Sequence, residues 1–139
     1  MIHPHALIYS SQESITIGQL KEGNYDPSGD MLVTSHWMES REIHAVVEGE
    51  IGYHPKFSTI PSKPYILYYQ GNLALLNKPL LGIVGPRKHS DFAKTMVQKI
   101  INQALHHDLA TISGLAMGVD QLAHQYSLEN NIPTIAVLG

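Results

Sequence analysis

The sequence contains no cysteine, which excludes a disulfide framework, a thiolate metal site and thiol redox chemistry, and fits a reducing compartment. No run of about 18 apolar residues occurs, so no membrane-spanning helix is expected. The start, Met1-Ile2-His3-Pro4-His5, lacks the basic stretch and apolar segment of a secretion signal, and a cytoplasmic protein with no membrane partner is expected. Catalytic signatures are missing too. There is no Gly-x-x-x-x-Gly-Lys-Ser/Thr of an NTPase, no Gly-x-Gly-x-x-Gly in a first βα turn, no Gly-x-Ser-x-Gly elbow and no His-Glu-x-x-His helix. Nor is there a strong charge of either sign: the net charge of −3 gives no overall footprint for nucleic acid.

What is present is enough oily material for a core. Apolar residues make up 43% and charged residues 15% of 139, which argues for a globular chain forming one ordinary domain, or one domain with an N-terminal extension. The charge is unevenly spread. Residues 1–77 carry four Lys/Arg against eight Asp/Glu, whereas residues 78–139 carry five against four. Lys78, Arg87, Lys88, Lys94 and Lys99 fall in one stretch opposed only by Asp91, which is either a local anion site or a solvated helix face.

Residues 1–50 form an irregular N-terminal extension in which short apolar pieces (Ala6-Leu7-Ile8-Tyr9, Met31-Leu32-Val33) alternate with turn-rich stretches such as 24–30. A few strands or short helices are expected. His3, His5, His36 and His44 have no ligand partners at metal spacing and are read as surface or packing residues. Between Tyr53 and Pro64, the prolines at 55, 61 and 64 predict a linker without helix or central strand. Tyr65–Tyr69 then reads as a strand ending at Gln70-Gly71, and Asn72 as the cap of a short helix over 73–76 that Pro79 stops.

Residues 80–139 carry the clearest pattern. Three short apolar runs, 80–84, 109–112 and 134–138, are continuous rather than alternating, as expected of parallel strands buried on both faces. Between the first two, Phe92, Ala93, Met96, Val97, Ile100, Ile101, Ala104 and Leu105 make a helical stripe expected to lie on the sheet. The second crossover starts at Gly114 and runs through Leu122, Ala123, Tyr126 and Leu128 to Asn130-Asn131, with Pro133 opening the third strand. Right-handed crossovers with strands added in one direction put both helices on one face. The predicted fold is α/β, a Rossmann-like βαβαβ half with parallel strands, and the stop after the third strand points to an incomplete domain.

In such a sheet a ligand lies beyond the carboxyl ends of the strands, where two glycine loops emerge: Gly85-Pro86-Arg87-Lys88-His89-Ser90 and Ser113-Gly114-Leu115-Ala116-Met117-Gly118. Each leads into a helix N-terminus, whose unpaired amides favour an anion such as phosphate. Arg87 adds a two-pronged contact, Lys88 a point charge, and Ser90 an N-cap or a phosphate donor. Glycine after a strand also serves tight turns and close helix packing, so both readings stand on these residues alone. Asp120 and His124, four apart on the second helix, are within reach of each other, and no nucleophile accompanies them; no catalytic residue, metal or cofactor is expected.

The order of motifs is more specific than either loop. Tyr53-His54-Pro55, Ile60-Pro61, Leu67–Leu73, Ile83–Ser90, Ser113–Asp120, Ala123-His124 and Thr134–Gly139 together resemble the DNA-processing protein A (DprA/Smf) family over roughly residues 51–139. The resemblance implies a Rossmann-type domain at 51–139, truncated after its third strand, behind the extension at 1–50. It implies a non-enzymatic protein that binds and protects incoming single-stranded DNA. It further implies dimerisation of the full-length chain and loading of a RecA-type recombinase during natural transformation. The family's Gly-Ser-Arg-x-x-Ser loop maps onto Gly85, Pro86, Arg87 and Ser90, and its Ser-Gly-x-Ala-x-Gly-Ile-Asp loop onto Ser113, Gly114, Ala116, Gly118, Val119 and Asp120. Pro86 stands where the family has serine, which removes one hydroxyl and one amide donor.

Gly85, Arg87, Lys88, Ser90, Ser113, Gly114, Ala116 and Gly118 are therefore the candidate DNA-phosphate residues. Two alternatives remain. One is a nucleotide-binding or phosphoribohydrolase-like domain of the same fold superfamily, although the Pro-Gly-Gly-x-Gly-Thr loop of those enzymes is absent. The other is a nonfunctional truncated fragment.

Overall fold

The computed structural model describes residues 2–12, 15–25 and 31–139, and the 26–30 part of the turn-rich stretch lies outside them. The chain divides into two compact units, Met1–Leu73 and Ala74–Gly139.

In the first unit, helix α1 (Pro4–Ser11) places Pro4 where a missing amide hydrogen is no loss. Helix α2 (Ile17–Glu22) opens with a reciprocal capping box between Thr16 and Gln19 and closes on Gly23 at φ 72°, a left-handed cap suited to glycine. Helix α3 (Met31–Glu39) packs on α1, and Ile2, Ala6 and Met38 form a small core with Leu7, Ile43, Ala45 and Ile66 beside it. Strands β1 (His44–Val47) and β2 (Ile66–Tyr69) pair antiparallel, with His44 opposite Tyr69 and Val47 opposite Ile66. Three of the early histidines make contacts inside this unit: His3 Nε2 is 3.3 Å from Glu50, His5 Nδ1 is 2.9 Å from the Tyr65 hydroxyl, and His44 lies against the Tyr69 ring. The stretch read as a helix-free linker holds helix α4 (Pro55–Ser58). Pro55 sits at its first position, and His54 caps it by accepting the Lys56 amide at 3.2 Å, so the proline starts this helix rather than breaking it.

A 3-10 turn (Leu73–Asn77) stands where the short helix was expected and runs across the boundary, and the second unit continues as strand β3 (Leu80–Gly82), helix α5 (Asp91–Ala104), strand β4 (Ala110–Ser113), helix α6 (Val119–Glu129) and strand β5 (Thr134–Ala136). The strands are parallel in the order β3-β4-β5, with Leu81 opposite Thr111 and Thr111 opposite Thr134, which is the predicted βαβαβ arrangement. Helices α5 and α6 pack on each other, and Ile83, Val97, Ile101, Ala104, Val119, Leu122, Ala123, Tyr126 and Ile132 make one core.

Three expectations are corrected. The edge runs were read as longer strands, but β3 stops at Gly82, opposite Ile112, and β5 at Ala136, opposite Ser113, the last residue of β4. Burial on both faces holds for β4 alone, while β3 and β5 are half-buried to exposed. The α5 stripe is wider than the surface it covers: Phe92, Met96 and Leu105 remain outside the core, at 74%, 38% and 45% exposure.

A chain of buried polar groups runs through this core. Thr111 Oγ1 lies 2.7 Å from Ser127 Oγ and 2.8 Å from Thr134 Oγ1, which is 2.8 Å from His124 Nδ1. Ser127 donates onward to the Ala123 carbonyl at 2.6 Å. His124 Nε2 is buried without a hydrogen-bond partner among the described residues.

Two predictions concern stability. Ile101 is fully buried in the α5–α6 core, so Ile101→Ala should cost roughly 2–5 kcal/mol in denaturant unfolding followed by circular dichroism. A loss under 1 kcal/mol would mean that the site collapses around the shortened side chain. In the first unit, Glu48 lies 2.6 Å from Lys63 and 3.3 Å from Lys21, and hydrogen bonds from Lys63 first and Lys21 second hold its carboxyl below the ordinary range. A depressed acid stabilises above its unfolded pKa, about 4.3, and loses that contribution as pH falls through the lower folded value. Glu48→Gln should thus lower the melting midpoint at pH 7, read by the single tryptophan at Trp37, with the gap closing in acid and in high salt.

Candidate functional site

Both glycine loops leave the carboxyl ends of neighbouring strands, β3 and β4, which lie about 4.8 Å apart in any sheet. The strands stay joined beyond their ladder. Ile83 N–H donates to the Ile112 carbonyl at 3.1 Å, and Ser113 Oγ donates to the Ile83 carbonyl at 2.6 Å. Ser113 is buried, so its hydroxyl is spent on holding the two strands together where the loops begin.

Past that point one side chain joins the loops. Asp120, in the first turn of α6, accepts the Gly85 amide on Oδ1 at 3.3 Å and the Gly114 amide on Oδ2 at 3.1 Å. The carboxylate is buried and sits at a helix N-terminus, where the helix dipole favours negative charge. A backbone bond also links the first loop to the start of α6, Val119 N–H donating to the Pro86 carbonyl at 3.2 Å, while within the second loop Gln121 N–H donates to the Ala116 carbonyl at 3.0 Å. The start of α6 was expected to offer unpaired amides to an anion. Instead, the Val119 and Gln121 amides are taken by the loops' own carbonyls, and a carboxylate stands beside them.

Packing requires the glycines. A Cβ on Gly85 would stand 2.8 Å from the Val119 side chain, and one on Gly114 would stand 2.8 Å from Asp120 Oδ2. Gly118 is at φ 93°, and a Cβ there would run into the Pro86 and Arg87 carbonyl oxygens. Pro86, read from sequence as a lost donor, contributes the acceptor that fixes the start of α6.

The remaining groups face outward. Arg87, Lys88, His89 and Ser90 are exposed, and neither Arg87 nor Lys88 makes an ion pair among the described residues. Ser90 caps α5 by accepting the Ala93 amide at 3.2 Å. In the second loop Ala116 is half-buried and Gly118 buried, whereas Leu115, at φ 58°, and Met117 are exposed. Seven of the eight candidate residues therefore belong to the two loops as a clasped pair, and Ser113 belongs to the scaffold beneath them.

Sequence reasoning missed the role of Asp120, which it paired with His124. In the structure His124 turns to Thr134, and the aspartate turns back to the loops. The signal was the Gly-Val-Asp order itself: an acid in the first helical turn, directly after a glycine loop, faces backbone amides. Among the described residues, no three His, Asp or Glu side chains are placed to hold a metal, and no helix is long and apolar enough to cross a membrane.

The clasp is testable. Asp120→Ala removes two charge-assisted hydrogen bonds from partly buried amides and should cost about 1.5–3 kcal/mol, with Asp120→Asn in between. Hydrogen exchange at the Gly85 and Gly114 amides should quicken in both variants. Wild-type exchange at those two amides in Asp120→Ala would show that the carboxylate does not hold the loops.

DNA processing protein DprA of Streptococcus pneumoniae is 44% identical over 82 residues, covering 59% of this chain and 29% of that protein. The X-ray structure of DprA from Streptococcus pneumoniae superposes with a TM-score of 0.65 at 28% identity, over 97% of this chain and 50% of that one. DNA processing protein A from Helicobacter pylori, whose structure is described for its unique single-stranded DNA binding mode, matches with a TM-score of 0.56 at 22% identity. That match covers 70% of this chain and 42% of the other, and at such identity it is a likeness of fold. The chain thus spans under a third of the first relative's length and half of the first solved chain. A family model described as DNA recombination-mediator protein A matches residues 44–139, and the chain belongs to that family.

Proposed function

We propose that the clasped loops bind the phosphate backbone of single-stranded DNA without reading its bases. Arg87 and Lys88 hold phosphate oxygens, Ser90 and the backbone of Gly85 and Gly114 shape the cradle, and Ala116 and Gly118 set its second wall. The observation that carries this reading is the pair of exposed cations, free of ion pairs among the described residues, on a loop tied down at the carboxyl edge of a parallel sheet. A guanidinium matches phosphate with two parallel hydrogen bonds. Family membership and the single-stranded DNA binding described for the Helicobacter pylori protein support the choice of ligand.

The rest of the role is proposed for the longer protein of which this stretch matches a part. That protein acts in the cytoplasm as a homodimer without catalysing a reaction, protects incoming DNA, and loads a RecA-type recombinase in natural transformation. The family description as a recombination mediator supports it.

Anisotropy of a labelled poly-dT oligonucleotide, titrated at several salt concentrations, tests the site. Arg87→Ala should weaken binding and flatten the slope of log affinity against log salt by about 0.7, the contribution of one phosphate contact on a single strand. An unchanged slope would remove Arg87 from the interface.

A further inference from the structure

The exposed flank of α5 carries a second pattern that the phosphate cradle does not use. Phe92 leaves 74% of its surface in solvent in the first turn after the Ser90 cap, and it makes no ring contact among the described residues. Met96, at 38% exposure, follows at i+4, and Lys99, also exposed, follows at i+7. These spacings put the three on one stripe of the helix. The buried positions Val97, Ile101 and Ala104 occupy the opposite side. Asp91, the single acid between residues 85 and 104, points about 100° away from Phe92 on the helix.

We propose that this stripe is the continuation of the single-strand track, with Phe92 stacking on an unpaired base, Met96 lining the base's edge, and Lys99 taking a further phosphate. The inference rests on the reading that Arg87 and Lys88 hold the strand's phosphates. Charge selects the occupant. Residues 85–104 hold four Lys/Arg against one Asp, in a chain that is otherwise acidic. A protein-docking helix face would continue apolar along its length, whereas this stripe passes from an aromatic at the cradle end to a cation one turn beyond Met96. Aromatic face followed by cation is what an unstacked strand requires, because each nucleotide presents a flat apolar base beside a charged phosphate. A duplex hides its base faces in the stack, so the stripe also confers preference for single strands.

The test compares wild type, Phe92→Ala, Phe92→Trp, Lys99→Ala and Arg87→Ala on poly-dT and on an abasic oligonucleotide of equal length. Phe92→Ala should weaken poly-dT binding about tenfold, the scale of one base–aromatic stack, with an unchanged salt slope and unchanged abasic binding. Phe92→Trp should restore affinity, and its added fluorescence should be quenched by poly-dT. Lys99→Ala should flatten the salt slope for both oligonucleotides by about 0.7. If Phe92→Ala binds poly-dT as wild type does while Arg87→Ala has lost binding, the stack is wrong and the phosphate cradle stands. If Phe92→Ala instead alters self-association in sedimentation with poly-dT binding intact, the stripe is a protein contact and the proposal falls. A folded wild type that binds neither oligonucleotide overturns the cradle and, with it, the stripe.

Discussion

One carboxylate holds the two loops of this fold together. Asp120 takes a backbone hydrogen bond from Gly85 and another from Gly114, and thereby ties two otherwise separate strand-to-helix connections to each other. Its charge is not wasted by burial, because two amide donors and the start of α6 compensate it. The glycines follow from the same geometry. Gly85 makes room for Val119, Gly114 for the aspartate, and Gly118 for the backbone of the opposite loop. The motif is thus first a solution to close packing.

What the packing leaves outside is cationic. The chain as a whole is acidic, yet Arg87 and Lys88 stand at a loop tip with no acid paired to either among the described residues. In the first unit the opposite holds: Glu48 is shared by Lys21 and Lys63, and Glu50 meets His3. Local pairing, rather than the net charge, decides where an unsatisfied positive field stands.

The polar chain under the sheet plays a supporting part. Thr111, Thr134, Ser127 and His124 link the central strand, the edge strand and α6 through successive hydrogen bonds, and Thr111 stands opposite Thr134 in the ladder. A slip of β5 by one residue would leave these buried hydroxyls unpaired, so the network favours this register. The same β4 strand that carries Thr111 ends at Ser113, whose hydroxyl fixes the origin of the loops.

Sequence alone determined the parallel α/β order, because three apolar runs separated by two helix-length segments admit few other arrangements, and it put two glycine loops at the carboxyl ends of the strands. Caps were equally legible: Ser90 and the asparagines after α6 act through their own neighbours in the chain. Positions that depend on distant partners were not legible. The end of β5 was set by Ser113, the last residue of β4, and the outer half of the α5 stripe by the narrow surface available to cover it. Asp120 shows the limit most plainly. Its local spacing pointed to His124, but a side chain bonds to whatever donors the fold brings near, and only tertiary structure places two loop amides within reach of one carboxylate.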